Sequence, residues 1–534
     1  MKILLVTGRL AAKLLEEISK KLPVSADVEV LPIDVAALMT PHFLKKHLKR
    51  RGDLKEYDLI MVSGMVRGDL SEIGKELGVT IVKGPRYASD IPFVVSYLLR
   101  GKINLSPIEP ADLLLKTSIL KKYLGEIDNK EREVEIDNLR NFMIGRSGRR
   151  LKVGTDCMPK ILAEVDNVVE RPLGEILSLV KYYIKSGAHI IDLGGSPSAP
   201  HPEKIMEVVK GLRSEIGRNL VLSVDSVFDE DIEAAVDAGI DMVLSIGLEN
   251  SHLLNSLPED VGIVIVPSIG QKQVEYVMNA EQVVKTLINL INDARKKGFR
   301  KILADPIIYP PVFPGIVNSL HRAIVFRKFD GDTPLLLGAR NVTDLMDVDT
   351  TGVNALLASI AVELGAGVIL TSEESVKSRY SVRELLKAVK MAFIAKMNKM
   401  PPKDVGLTLL LAKSKRDPKY EEVFKKHEAK VINTNEIKLP GKVERDKCGY
   451  FRIWVNHREN SIYVAHYRPN GEISCIFSGN SAVKLSAAIL SKGLVGTVSH
   501  ALYLGRELEK AEICLKLGKS YVQDVDVFGD KNDE

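Results

Sequence analysis

Between Thr155 and Glu373 eight short apolar runs follow one another, each breaking off in a polar residue and each followed by a segment with helical spacing. Runs that are apolar throughout suit strands buried on both faces, and the helices between them supply the crossovers that parallel strands require. Eight such repeats predict an α/β architecture built on a closed (βα)8 TIM barrel. The strands are read as LKVGTD, AHIIDLGG, LVLSVDS, DMVLSIG, GIVIVPS, KILADP, PLLLGARN and GVILTSE. Barrel chemistry sits at the C-terminal strand ends. Here those ends are Asp156, Asp192, Asp225, Ser245, Ser268, Asp305, Asn341 and Ser372, an acidic and amidic ring.

A chain of 534 residues exceeds one ordinary domain. Residues 1–125 alternate ILLVTG, VEVLPI, DLIMVSG and TIVKG with helical segments, which predicts a small parallel α/β domain. Gly8, Gly64 and Gly84 each follow a strand, and without a GxGxxG or GxxxxGK[ST] pattern they are read as turn glycines rather than a phosphate cradle. Residues 126–150 read as a charged linker ending in RSGRR, where Arg146, Arg149 and Arg150 are a weak candidate anion grip. The barrel is expected over 151–400. Residues 401–534 should form a small α+β domain: a basic solvated helix within LAKSKRDPKYEEVFKKHEAK, three strands around an Asn470-Gly471 hairpin turn, a helix from Ala482, and a longer helix capped by Ser499 and stopped by Gly518.

Charge and cysteine content exclude several classes. A net charge of +5, from 75 basic and 70 acidic side chains, gives no one-signed surface for nucleic acid or membrane. Four scattered cysteines, Cys157, Cys448, Cys475 and Cys514, fit a reducing cytoplasm better than a disulfide framework. They form no zinc-binding spacing, and His457, His466 and His500 are too dispersed to suggest a metal. No metal-ligating set and no haem site is expected, and no apolar run has membrane-spanning length.

Asp192, Asp225 and Asp305 near one axis would accept hydrogen bonds from a donor-rich ligand such as an aminopyrimidinone, and Asn341 can both donate and accept. A strand-end Asp also caps the next helix in many folds, so both roles stand. In SPSAP, Ser196 and Ser198 could meet a phosphate through hydroxyls and backbone N–H groups, with His201 beside them, or they could belong to a proline-stiffened loop. Ser372, Glu373 and Ser375 occupy another common phosphate position, although Glu374 opposes an anion there. Cys157 is read as a small buried hydrophobe rather than a nucleophile.

GAHIIDLGGSPSAP, LSVDS and ILADPIIYP resemble, in order, three motifs of the pterin-binding family, which includes dihydropteroate synthases and methyltetrahydrofolate methyltransferases. The resemblance spans Val153 to Met397, and the whole chain is similar to an archaeal group of dihydropteroate synthase-related proteins. It implies a pterin, folate- or tetrahydromethanopterin-type, as substrate or cofactor in one-carbon metabolism. It also implies that Asp225 and Asp305 hold the pterin, with Asp192, Asn341 and Arg340 beside them. Asp225 and Asn341 would handle protons, and magnesium would be an allowed companion.

The synthase pattern is broken elsewhere. Leu244 and Ser245 replace its Asn-Asp, Arg340-Asn341-Val342 its Ser-Arg-Lys, and Leu370-Thr371-Ser372 its Arg-x-His, so the cations that hold diphosphate are missing. GARNVT is closer to the methyltransferase pattern. The chain lacks a DxHxxG cobalamin motif, so a corrinoid or other methyl acceptor would come on another protein. A homodimer is the expected assembly. A pterin-delivery protein without catalysis is the remaining alternative.

Overall fold

The structure, a computed structural model, describes residues 1–146, 150–216, 220–268, 280–414, 432, 434–435 and 446–528. It separates into two compact units, Met1–Arg132 with Met391–Thr408, and Glu133–Lys390 with Leu409–Glu534.

In the first unit β1 (Lys2–Thr7), β2 (Ser25–Val30), β3 (Leu59–Val62) and β4 (Ile81–Lys83) form a parallel sheet in the order β2-β1-β3-β4. Leu4, Val6, Ile60 and Val62 meet Leu44, Leu48 and Ile73 from covering helices in its core. The loop glycines are there for close packing. A Cβ on Gly8 would lie 2.6 Å from the Ile33 carbonyl oxygen, and one on Gly64 would lie 2.5 Å from that of Gly84. The backbone N–H groups of Arg9 and Leu10 already donate to Ile33 O (2.9 Å) and Asp34 O (3.1 Å), so this turn has no amide cradle to offer an anion.

The second unit holds the barrel, and its first strand corrects the sequence reading. LKVG belongs to an antiparallel hairpin, β5 (Asn141–Ile144) with β6 (Leu151–Gly154), not to the barrel. Barrel strand one is β7 (Lys160–Val165). It is followed by β8 (Ile190–Gly194), β9 (Val221–Asp225), β10 (Met242–Ile246), β11 (Gly262–Ile265), β12 (Ile302–Ala304), β13 (Leu335–Gly338) and β14 (Ala366–Thr371), and β14 closes on β7.

The hairpin seals the N-terminal end. Phe142, Ile144, Leu151 and Val153 pack against Leu162, Ile190, Val221, Met242 and Val368 from the early parts of the strands. Side chains alternate along a strand, so the next inward positions toward the C-terminal end are Glu164, Asp192 and Ser223. Apolar floor and polar mouth thus come from one periodicity. Outer helices such as Leu173–Ser186 bury Ile176, Leu179, Val180 and Tyr183 at three and four spacing.

Segment 126–150 is not a solvated linker. It contains the end of helix Lys116–Glu133 and the strand β5. Arg146 spends its guanidinium on Asp260 (3.2 Å) and Val236 O (3.2 Å), and Arg149 lies outside the described residues. Asp156, expected at a barrel tip, instead pairs with Arg140 (2.9 Å) at the floor. Cys157 is buried beside Asn141 there, away from the mouth.

The C-terminal region has the expected antiparallel sheet, β15 (Tyr450–Asn456), β16 (Ser461–Tyr467) and β17 (Ile473–Gly479). Helices Ala482–Ser491 and Val498–Leu517 cover one face. The cap of the longer helix is Thr497 rather than Ser499: its hydroxyl oxygen accepts from the His500 N–H at 3.2 Å, and Gly518 ends the helix at φ +79°. The basic segment at 411–430 lies almost wholly outside the described residues.

Candidate functional site

Strand register sets the mouth of the barrel. Glu164 of β7 pairs with Asp192 of β8, Asp192 with Ser223 of β9, and Gly194 with Asp225, so three neighbouring strands deliver three carboxylates to one place. One oxygen from each of Glu164, Asp192 and Asp225 lies within 4.8 Å of the others. Gly194 keeps this space open, since a Cβ there would stand 3.3 Å from Glu164 Oε1.

Asp192 is fully buried. Its Oδ1 accepts from the Ser223 hydroxyl at 2.5 Å, and its Oδ2 has no hydrogen-bond partner. A buried acceptor left unpaired costs about 1–3 kcal/mol, so it marks a place where a ligand donor would be welcome. Burial raises the Asp192 carboxyl well above its ordinary range, and Asp225 and Glu164 push it further. Asp225 is also raised by burial, against a hydrogen bond from Ser245 and the nearby Arg340 charge. Ser245 holds φ +64°, a conformation that non-glycine residues adopt at a cost and that recurs at functional sites.

Asp305 follows β12. Burial pushes its carboxyl up to about 7, opposed by the Ile307 N–H, which donates to Oδ1 at 2.7 Å, and by Arg322. Ile307 sits at φ +58°, where a β-branched side chain is strained, so the turn that aims Asp305 is held by its surroundings. Arg322, buried behind it, donates to Ile307 O at 2.7 Å. Asn341 lies in the short helix Arg340–Thr343 after β13, and its amide donates to Ile308 O at 2.9 Å. That bond ties the loop bearing Asp305 to the end of β13.

Arg340 meets carboxylates from three positions of the chain. Its Nη1 donates to Glu164 Oε2 (2.6 Å) and Asp166 Oδ1 (2.6 Å), Nη2 donates to Asp166 Oδ2, and Nε donates to Asp344 Oδ2 (3.0 Å). One guanidinium thus faces three carboxylates through about four of its five N–H donors. Among the described strand-end residues no other cation faces the mouth. Glu164, held by Arg340 but buried against Asp166 and Asp225, rises to about 7.

Glu164 and Asp166 are the residues that sequence reasoning missed. Ser196 and Ser198 lie on the β8 loop with their hydroxyls 3.0 Å apart and the Ser198 N–H donating to Ser196 Oγ at 3.2 Å, so each is engaged with the other. The His201 N–H donates to Asp231 (2.6 Å), which holds this loop. Glu164, Asp192 and Asp225 carry the oxygen donors that magnesium takes rather than the nitrogen and sulfur donors that zinc prefers.

The carboxyls near 7 have a measurable consequence. A folded-state value above the ordinary value of about 4 means that Asp305 stabilises the fold below pH 4, and that this contribution is lost as pH rises through 7. Asp305→Asn is therefore expected to come closest to the wild type in thermal stability near pH 4 and to exceed it near pH 8. Melting curves at the two pH values test this, and equal gaps at both would mean that Asp305 is not held near 7.

Comparison with known proteins gives three matched segments: a "Pterin binding enzyme" family over residues 165–342, a family of unknown function (DUF6513) over 1–86, and PterinBD-DUF4346 over 445–524. The uncharacterized protein MJ0107 of Methanocaldococcus jannaschii is 34% identical over 542 residues, covering 99% of both chains. A Ycf91-like protein of Nostoc is 28% identical over 108 residues, 15% of this chain and 85% of that one. Among solved structures, dihydropteroate synthase of Yersinia pestis with a pterine-sulfa conjugate is 19% identical, covering 48% of this chain and 99% of that one, with a TM-score of 0.38. The Stenotrophomonas maltophilia dihydropteroate synthase is 21% identical over 47% and 96%, also with a TM-score of 0.38.

Proposed function

The chain belongs to the pterin-binding family, and from that premise we propose that its barrel takes a reduced pterin at the mouth and serves one-carbon transfer from it, not condensation with loss of diphosphate. The observation that carries this reading is charge. The mouth holds four carboxyls, Asp192 buried and Glu164, Asp225 and Asp305 half-buried, all with raised affinity for protons, while Arg340 is spent on three carboxylates. A diphosphate would meet repulsion there, whereas the amino and ring N–H groups of a pterin would meet acceptors.

A carboxyl held near 7 is also a usable acid at neutral pH. In methyl transfer the N5–CH3 bond breaks as a nucleophilic acceptor supplies the electron pair of the new bond. The pair released to N5 is neutralised by a proton. Asp225, with Ser245 on one side and Asp192–Ser223 on the other, can store and hand over that proton, and Asn341 can hold the ring. The acceptor, a reduced corrinoid or another nucleophile, would be carried by another protein. No helix among the described residues is long and apolar enough to cross a membrane, and all four cysteines are free. Both facts are compatible with a cytoplasmic setting.

The test is relative affinity. Competition binding is expected to rank N5-methyl tetrahydropterin at least about tenfold tighter than a pterin diphosphate, a gap of about 1.4 kcal/mol. The reverse order would overturn methyl transfer and return the barrel to synthase-type chemistry.

A further inference from the structure

A cleft of about 420 Å³ lies between the loop after β14 and the turn after β15, both within the second compact unit. We propose that this cleft is a second ligand site, and that it takes a planar aromatic ring bearing a phosphate or carboxylate, the ring against Trp454 and the anion between Arg379 and Arg458. The site is separate from the barrel mouth, and nothing in the pterin reading requires it.

Glu373 accepts from the Tyr182 hydroxyl at 2.7 Å and from the Val382 N–H at 3.0 Å, and Glu374 pairs with Arg171 at 2.8 Å. Glu373 is thus hydrogen-bonded at both oxygens and Glu374 is ion-paired through Oε2, while Glu374 Oε1 keeps no partner among the described residues. Arg458 is exposed and forms no ion pair among the described residues. Arg379 donates from Nη1 to Gly518 O at 2.7 Å and likewise meets no carboxylate among the described residues. Burial, together with Arg379 and Arg383, pushes His457 down to about 4, so its ring adds no charge near neutral pH. The unsatisfied charge of the cleft is positive, and guanidinium groups favour phosphate and carboxylate.

Trp454 supplies the surface for the ring. Its indole stacks on Tyr463 with centroids 5.4 Å apart and planes 9° apart, yet it remains 42% exposed and lines the cleft. One face braced and the residue still open is how a stacking platform is built. The volume lies within the usual range of small-molecule pockets, about 300–1,000 Å³. The cleft also touches the barrel loop: Arg171, the partner of Glu374, donates from Nε to Asp166 O at 2.9 Å, and Asp166 is held by Arg340.

Trp454 is the single tryptophan of the 534 residues, so its emission reports this cleft alone. Adenosine 5′-monophosphate and a phosphorylated pterin are two sources of the proposed chemistry, while adenosine and inorganic phosphate each carry half of it. The full chain would be titrated with the adenine and phosphate series by Trp454 emission, and the phosphorylated pterin would be titrated calorimetrically into Asp305→Ala, in which the barrel site is weakened. The expected result is saturable one-site binding of at least one aromatic phosphate, about tenfold or more tighter than either half. Which of the two binds identifies the source. Arg458→Ala should weaken binding by about tenfold. Because Arg458 is exposed, its loss does not threaten folding. The proposal is overturned if neither aromatic phosphate binds, if inorganic phosphate alone binds as tightly, or if Arg458→Ala has no effect.

Discussion

Arg340→Ala is expected to destabilise the barrel by about 3 kcal/mol, the scale for removing one partner of a largely buried ion pair. The guanidinium serves Glu164, Asp166 and Asp344, and the side-chain exposures of 14%, 25% and 22% for these carboxylates leave them little water to turn to. Glu164 already holds its proton more tightly than usual because it is buried, and it would do so more strongly without Arg340, which opposes that shift. Its contribution would then be favourable at low pH and lost as pH rises. The gap between wild type and variant should therefore be largest near pH 8 and shrink toward pH 5. Urea denaturation at the two pH values measures it. A gap below about 1 kcal/mol at both, the scale of a surface pair, would mean that Arg340 is free, and a free Arg340 could serve a diphosphate after all.

Asp305→Ala and Asp225→Ala are each expected to weaken pterin binding by about 100-fold, on the order of 2.7 kcal/mol, the scale of a pair of charge-assisted hydrogen bonds. Neither loss should follow from unfolding. Both carboxyls are raised by burial, so their charged forms are costs carried by the empty fold. The variants should bind worse while melting at the same temperature as the wild type or higher near pH 8, which is the pattern of a site kept at the expense of stability. Weak binding together with a lower melting temperature would point to structural roles instead, such as the turn that Ile307 and Asp305 share.

Most of the barrel was legible because parallel strands buried on both faces leave contiguous apolar runs, and because each run ends where the mouth begins. Asp192, Asp225 and Asp305 could be read from that rule alone. The first strand failed because LKVG and KILAEV are equally short and equally β-rich, and periodicity does not separate a hairpin strand from a barrel strand. Spacing could have decided it. A strand ending at Gly154 would need an unusually long connection to the helix at Leu173, whereas one ending at Val165 needs a short one. With the strand misplaced, Glu164 and Asp166 were invisible, and with them the clamp on Arg340. Contacts across 174 and 176 positions of sequence follow from closure of β14 onto β7, not from any local pattern.

The Thr497 cap shows the same limit on a smaller scale. Thr497 and Ser499 both carry a capping hydroxyl, and only the backbone reveals which one meets an unpaired N–H.

The most direct measurement is calorimetric titration of the full chain with a tetrahydropterin at pH 7.5, beside Asp305→Ala under the same conditions. The account predicts saturable heat with one site per chain in the wild type, and its loss in the variant. Absence of saturable heat in the wild type, or binding indifferent to Asp305, would contradict it.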